Sequence, residues 1–349
     1  MTRFAWLQSR TQTLTTLAAL AALAIVAAIT GIRLSHLYDS LIAPCAATDA
    51  CGLASEQFSA HYSWLQHGFE LIQLLAPALV GIFWGAPLLA RELETGTYRL
   101  AWTQGVTHTR WLTTKLLLVG ASAVATAGLL TLTATWWFRA VDKVGSNRFG
   151  LFDRRDLAPV AYLVFAFALG AFLGTVIRRV LPAMAATLGG FAFTRIAVTA
   201  WVRPHLLAPL HKSLSLLSGG GLVFTSTGNE TVDLVARGAD IPNAWVQSSR
   251  IVTSAGDLAS AAQRGAFLNQ YCPTIAHPPL VPGQVGKFAG DPSAFETCRQ
   301  QAAGVFHFAV TYQPADRYWT FQWLEAAIYV ALALVAVIGC YWWVTRRAN

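Results

Sequence analysis

Leu157-Ala-Pro-Val-Ala-Tyr-Leu-Val-Phe-Ala-Phe-Ala-Leu-Gly-Ala-Phe-Leu-Gly-Thr-Val-Ile177 runs 21 residues without a charge. A helix of that length spans about 31 Å, the thickness of a bilayer's hydrocarbon core. Its apolar residues are continuous, not set on one face at helical or strand spacing, so no single face is marked for burial in a soluble core. A helix satisfies its own backbone hydrogen bonds and is therefore the form expected of a spanning segment. Charges stop it at both ends, with Asp153-Arg154-Arg155-Asp156 before it and Arg178-Arg179 after it.

Five further stretches are long and apolar enough to span, three of them with a single charged residue: Leu14–Ile32, Phe69–Ala90, Leu116–Phe138, Val180–Val202 and Trp323–Val344. The 349-residue chain is 55% apolar and only 12% charged, about half the charged share of a soluble domain. Trp136, Trp137, Trp201, Trp319, Trp323, Trp342 and Trp343 sit at or near span ends, where indole rings favour the headgroup layer. The expected fold is mainly α, a polytopic membrane protein with six transmembrane helices. Arg3 and Arg10 before the first stretch resemble the start of a signal peptide. The apolar run is longer than a signal core and five more spans follow, so an anchor is the better reading.

Six spans place both termini on one side. That side holds Arg3, Arg10, Arg91, Arg99, Arg110, Lys115, Arg178, Arg179, Arg346 and Arg347 against Glu92 and Glu94. The opposite loops, Arg33–Gly68, Arg139–Asp156 and Arg203–Gln322, hold 14 basic and 13 acidic residues. The excess of positive charge predicts cytoplasmic termini. Arg139, Lys143, Arg148, Arg154 and Arg155 argue the other way, being crowded into a short loop assigned outside, and Asp142, Asp153 and Asp156 do not offset them in setting orientation. The formal charge of +8 needs no nucleic-acid partner, because the basic residues flank spans and are explained by orientation.

Of five cysteines, Cys45, Cys51, Cys272 and Cys298 fall in outer segments and Cys340 in the last span. An even number outside suits disulfides. Three pairings are open; Cys45–Cys51 with Cys272–Cys298 is favoured because each pair lies within one loop, and free thiols are the alternative. The loop 203–322 holds nine of the chain's 14 prolines and is too long for a structureless connection, so it is expected to form an extracytoplasmic domain. Its Gly219-Gly220-Gly221 run reads as a turn before a short apolar element, since no Lys-Ser/Thr pair follows it.

No His-Glu-x-x-His, Cys-x-x-Cys or Gly-x-Ser-x-Gly occurs, so no catalytic residue is assigned. Gly283-Gln-Val-Gly286-Lys287-Phe288 lacks both the spacing and the hydroxyl of a nucleotide loop, and the chain is not expected to hydrolyse ATP alone. His205, His211, His277 and His307 have no spacing that demands a metal, and none is assigned. Inside the spans, Glu70, Arg195 and Glu325 are costly residues at similar expected depth. They are candidates for an ion-paired cluster at a substrate path or outer gate; the alternative is interfacial carboxylates with a snorkelling arginine. Gly81-x-x-x-Gly85 and Gly170-x-x-x-Gly174 offer flat surfaces for close helix approach, either within the chain or between subunits.

Between spans two and three lies Arg91-Glu92-Leu93-Glu94-Thr95-Gly96-Thr97-Tyr98-Arg99, continuing through Trp102-Thr103-Gln104-Gly105-Val106-Thr107 to Arg110, Trp111 and Lys115. A polar helix broken at Gly96 and re-entering behind a basic stretch is suited to pass force from a docked partner to two spans; the alternative is a plain interfacial connector. Here the chain resembles permease subunits of the ABC-2 type, which carry a Glu-x-Gly-Thr element after the second span and then an Arg…Lys run. The matching residues are Glu94, Gly96 and Thr97, then Arg110 and Lys115. Thr2-Arg3-Phe4-Ala5-Trp6-Leu7-Gln8 looks like that family's interfacial helix before the first span. The large loop before span six departs from the many members whose main outer loop follows span one.

With an interfacial helix at 1–13 and a coupling loop at 91–115 as the resemblance implies, the layout expected from the residues is spans one to five over 14–202, an outer domain at 203–322, and span six with a cytoplasmic tail at 323–349. It further implies a separate ATP-binding subunit that holds ATP and Mg, a second permease subunit in a homo- or heterodimer, and export of lipids, glycans, peptides or drugs by alternating access. Glu92 and Glu94 would meet basic groups of the ATPase, with Thr97 and Arg99 in the same loop. The expected location is a bacterial plasma membrane. A membrane-anchored sensor or assembly protein with a ligand-binding outer domain is the competing reading; it predicts no ATPase partner.

Overall fold

The computed structural model describes residues 2–44, 52–97, 107–143, 147–217, 220–227, 231–239, 241–276 and 292–347. The chain is mainly helical, with six helices long and apolar enough to cross a membrane among the described residues. It divides into two compact units, Met1–Leu206 with Tyr318–Asn349, and Leu207–Arg317.

The first unit is the helical bundle. Helix α1 (Thr2–Leu41) forms span one. Span two is α2 (Gly52–Val80), a π-type turn at Gly81–Gly85, and α3 (Ala86–Thr95). Span three is α4 (His108–Asp142), and a 3-10 turn (Arg148–Arg154) leads to span four, α5 (Ala158–Ile177). Span five is α6 (Val180–Ala197) with a second π-type turn at Val198–Val202. These stretches, and the sixth within 315–346, all lie inside helices of membrane-crossing length.

Two boundaries differ from expectation. Residues 2–41 form one unbroken helix, so the N-terminal segment does not stand as a separate short element before span one. The segment Arg33–Gly68, expected as a loop, is mostly an extension of α1 and α2. Its apolar residues belong to a core: Leu34, Phe58 and Tyr62 pack with Phe69, Trp137, Phe138, Val141 and Leu151. Trp137 stacks on Phe69 at 4.9 Å and donates its indole N–H to Thr30 Oγ1 at 3.1 Å, tying spans one, two and three together.

The span quoted first, α5, is the centre of the bundle. Of its most apolar window 61% is buried, against 17% for spans one and five. Its uninterrupted apolarity therefore answers mainly to protein neighbours, with lipid as the solvent of the outer spans. The two glycine motifs meet each other within the chain. A Cβ on Gly85 would stand 2.5 Å from the carbonyl oxygen of Phe167, and one on Gly81 would stand 2.7 Å from that of Ala166. One on Gly170 would strike Gly81 O, and would lie 2.7 Å from Ala86 N. Such backbone approach is what small residues permit in a bilayer. Gly170→Ala is accordingly expected to cost about 1–3 kcal/mol in detergent unfolding, because the obstacle is backbone that no rotamer change can move. Gly128→Ala, where an added Cβ meets nothing within 4 Å, serves as the neutral control.

The second unit is an α+β structure. Strands β1 (Leu210–Ser215), β5 (Phe306–Gln313) and β4 (Trp245–Thr253) form an antiparallel sheet in the order β1-β5-β4. Strands β2 (Gly220–Thr227) and β3 (Thr231–Ala239) form a separate antiparallel ribbon. Helices α7 (Ala261–Tyr271), α8 (Pro273–Ala276) and α9 (Pro292–Val305) complete the unit. Ser260 and Gln263 cap α7 reciprocally, satisfying N–H groups that the helix itself cannot. Strand β5 alternates buried Phe306, Phe308 and Val310 toward a core shared with Ile251, Phe267, Leu268 and Ala302. The Cys272–Cys298 disulfide joins α7's end to α9 inside that core. Cys45 and Cys51 lie outside the described residues. The unit is shorter than the expected 203–322, because Arg203 still belongs to the end of span five and Tyr318–Gln322 to the first turn of span six, α10 (Tyr318–Arg347).

Candidate functional site

Three consecutive residues before α5 each enter a different ion-paired network. Asp153 faces Arg195 and Arg203, Arg154 pairs with Glu70, and Arg155 pairs with Asp142 and Asp156. Asp156 has φ of 64° and its N–H donates to Thr135 Oγ1 at 3.1 Å, so the chain turns sharply there into the helix. Gln322 of α10 accepts from the N–H of Ala158 at 2.8 Å and of Leu157 at 3.2 Å, groups with no partner inside the helix. Its amide donates to Phe152 O and to the Tyr318 hydroxyl, which itself donates to Asp156 at 2.6 Å.

The innermost network centres on Glu325, which has no exposed surface. Arg203 grips it with both arms of the guanidinium, Nε to Oε2 at 2.6 Å and Nη2 to Oε1 at 2.8 Å. Arg195 Nη1 reaches Glu325 Oε1 at 3.4 Å, and Tyr162 donates its hydroxyl to the same oxygen at 2.7 Å. Asp153 completes the set, 3.2 Å from Arg195 and in direct contact with Arg203. The Arg195 guanidinium lies 3.9 Å above the Tyr162 ring, and that of Arg203 lies 4.5 Å from the Phe152 ring. Two positive and two negative charges cancel, which is what makes so much charge tolerable at this burial. Forked guanidinium–carboxylate geometry and ring stacking are arginine properties that lysine lacks. The cluster joins spans four, five and six.

Of the three intramembrane residues read from the sequence, Arg195 and Glu325 are thus in contact. Glu70 is not with them: Arg154 holds it at 2.8 Å, and Gln66 donates to it at 2.9 Å. Arg154 follows Asp153 directly and satisfies the Glu70 carboxylate, leaving Arg203 as the second cation for Glu325. Sequence reasoning missed Asp153, Tyr162 and Arg203, because the two ionic residues lay in assigned loops and the tyrosine in an apolar run. The available signal was the alternation of charges in Asp153–Asp156 at a span's edge. These pairings also give partners to Arg148, Arg154 and Arg155, three of the five basic residues that argued against the orientation.

At the opposite end of span two, α3 closes on Gly96 in the left-handed region with φ of 73°, where glycine is at home. The side chain of Thr107 caps α4 by accepting from Arg110 N. Glu92 is buried and paired with Lys115 across the turn, and Lys115 lies 5.3 Å from the Trp111 ring centre. The Glu92 carboxylate is directed to Lys115 of span three, a partner that the sequence reading did not name. Glu94 is exposed and accepts from the N–H of Val180 at 2.9 Å, the first residue of span five. Thr97 is exposed with its hydroxyl 3.1 Å from that of Thr95, and Arg110 is exposed. Arg99 lies outside the described residues. His205 and His211 are exposed, and His211 pairs with Thr311; His277 lies outside the described residues.

Six apolar spans among the described residues, one of them central, with ionic clusters where span ends converge, define a multi-pass helical membrane protein. Residues 17–203, more than half the chain, match the family described as ABC-2 membrane transporter related, and the chain belongs to that family. Membership identifies it as a membrane subunit of a transporter and implies an ABC ATP-binding subunit as partner. No curated protein and no solved structure matches it.

Proposed function

We propose that this chain is the transmembrane permease subunit of an ATP-driven exporter, in which a separate subunit binds ATP and Mg and a second permease subunit completes the pore. The supporting observation is the turn between spans two and three. Its exposed Glu94 and Gly96 cap sit on a frame anchored by Glu92–Lys115 and by the contact with Val180, so a push on the turn is delivered to spans two, three and five together. The termini and this turn face the cytoplasm, as the charge distribution supports, and residues 207–317 lie in an oxidising compartment, as the Cys272–Cys298 bridge supports. The membrane is a bacterial plasma membrane.

Detergent co-purification with candidate ATP-binding subunits tests this. Glu94→Arg and Gly96→Pro are expected to weaken recovery of the ATPase at least fivefold without loss of membrane insertion, since proline cannot adopt a φ of 73°. Glu94→Gln keeps an oxygen for Val180 N–H while removing the charge, and separates docking from local structure. Recovery of no ATPase under any condition would favour the sensor reading, to which the compact disulfide-closed unit at 207–317 is suited.

A further inference from the structure

Span five carries both arginines that hold Glu325, at positions 195 and 203. Eight residues of regular α-helix turn through about 800°, which would leave the two side chains roughly 80° apart. They nevertheless converge on one carboxylate. The reason is the wide turn between them, in which Arg203 N–H bonds to Val198 O five residues back. Five residues wound at roughly 80° each bring the total near 700°, within about 20° of two full turns. The wide turn acts as an extra residue that restores a common face.

We infer that this wide turn is a movable latch: between Arg195 and Arg203 it closes the Glu325 cluster, and shifted to the N-terminal side of Arg195 it turns one arginine away and frees span five. Several features fit a moving element. The most apolar window of span five is only 17% buried, and Leu181, Phe193, Ile196 and Trp201 of this span are all more than 60% exposed. Its polar attachments are concentrated near its ends, Glu94 on Val180 N at one and the Glu325 cluster at the other. A place for the shifted turn exists at Gly189–Gly190, whose missing side chains make that stretch the easiest of the span to deform. An added Cβ on Gly189 would meet nothing within 4 Å, so its glycine is not needed for close packing. The latch is a property of this chain alone, whichever subunit drives it.

Deleting Ala200 tests it directly. Without the extra residue, Arg195 and Arg203 lie seven apart in regular helix, within about 20° of the same face, with the latch locked shut. Hydrogen exchange of the full chain in nanodiscs reads the amides of residues 196–203. The Ala200 deletion is expected to retain the wild-type melting temperature within a few degrees and to slow exchange there about tenfold. Gly189→Ala, which removes the alternative site without a clash, is expected to slow it about threefold. A melting temperature lowered as far as by Glu325→Ala would overturn the register argument. Exchange unchanged from wild type in both variants would overturn the latch.

Discussion

Glu325→Ala is expected to lower stability by roughly 3–5 kcal/mol, the largest loss of any single substitution in the bundle. The carboxylate is fully buried and accepts from Arg203, Arg195 and Tyr162. Its removal leaves two arginines sharing Asp153, with one buried positive charge uncompensated. Asp153→Ala should cost less, about 1–2 kcal/mol, because its side chain is 29% exposed and water can replace part of what is lost. Detergent unfolding followed by tryptophan fluorescence measures both. The diagnostic comparison is Glu325→Leu against Glu325→Leu with Arg203→Leu. If the loss comes from stranded charge, the second substitution recovers at least half of it; if the double variant is as unstable as the sum of its parts, the charge argument fails.

The second large effect belongs to the unit at 207–317. Cys298→Ser is expected to destabilise it by about 3 kcal/mol, since the bridge closes a loop of 26 residues' separation and its entropy cost in the unfolded chain is thereby prepaid. Both sulfurs sit in the apolar core beside Phe306 and Ala302, so the serine hydroxyl also loses solvent. Calorimetry with and without reductant gives the control: reductant should lower the wild-type transition and leave that of Cys298→Ser where it is. Equal sensitivity in both would mean that the bridge does not staple this unit.

The resemblance that the residues Glu94, Gly96 and Thr97 carried was confirmed at the level of family, and the six spans were legible because continuous apolar runs of bilayer length have few other readings. The end of α3 was legible from its glycine, yet the partner of Glu92 was not. Nothing in the order of residues says that Lys115, 23 positions on, returns to it instead of facing a second protein. Glu70, Arg195 and Glu325 stood out because charge is costly in lipid, but that cost identifies which residues need partners without naming the partners.

What the sequence determined by itself was therefore solvent and span: lipid outside, helices of about 20 residues, and basic residues at their ends. Tertiary structure alone decided the pairings. Whether the two glycine motifs met each other or another subunit depended on the approach of spans two and four. Whether Arg203 belonged to a loop or to a buried cluster depended on one extra residue of winding at Val198–Val202. Hydropathy is a property of residue composition and survives any rotation of a helix about its axis. An ion pair depends on that rotation, which is set by the wide turn and the close glycine contacts together.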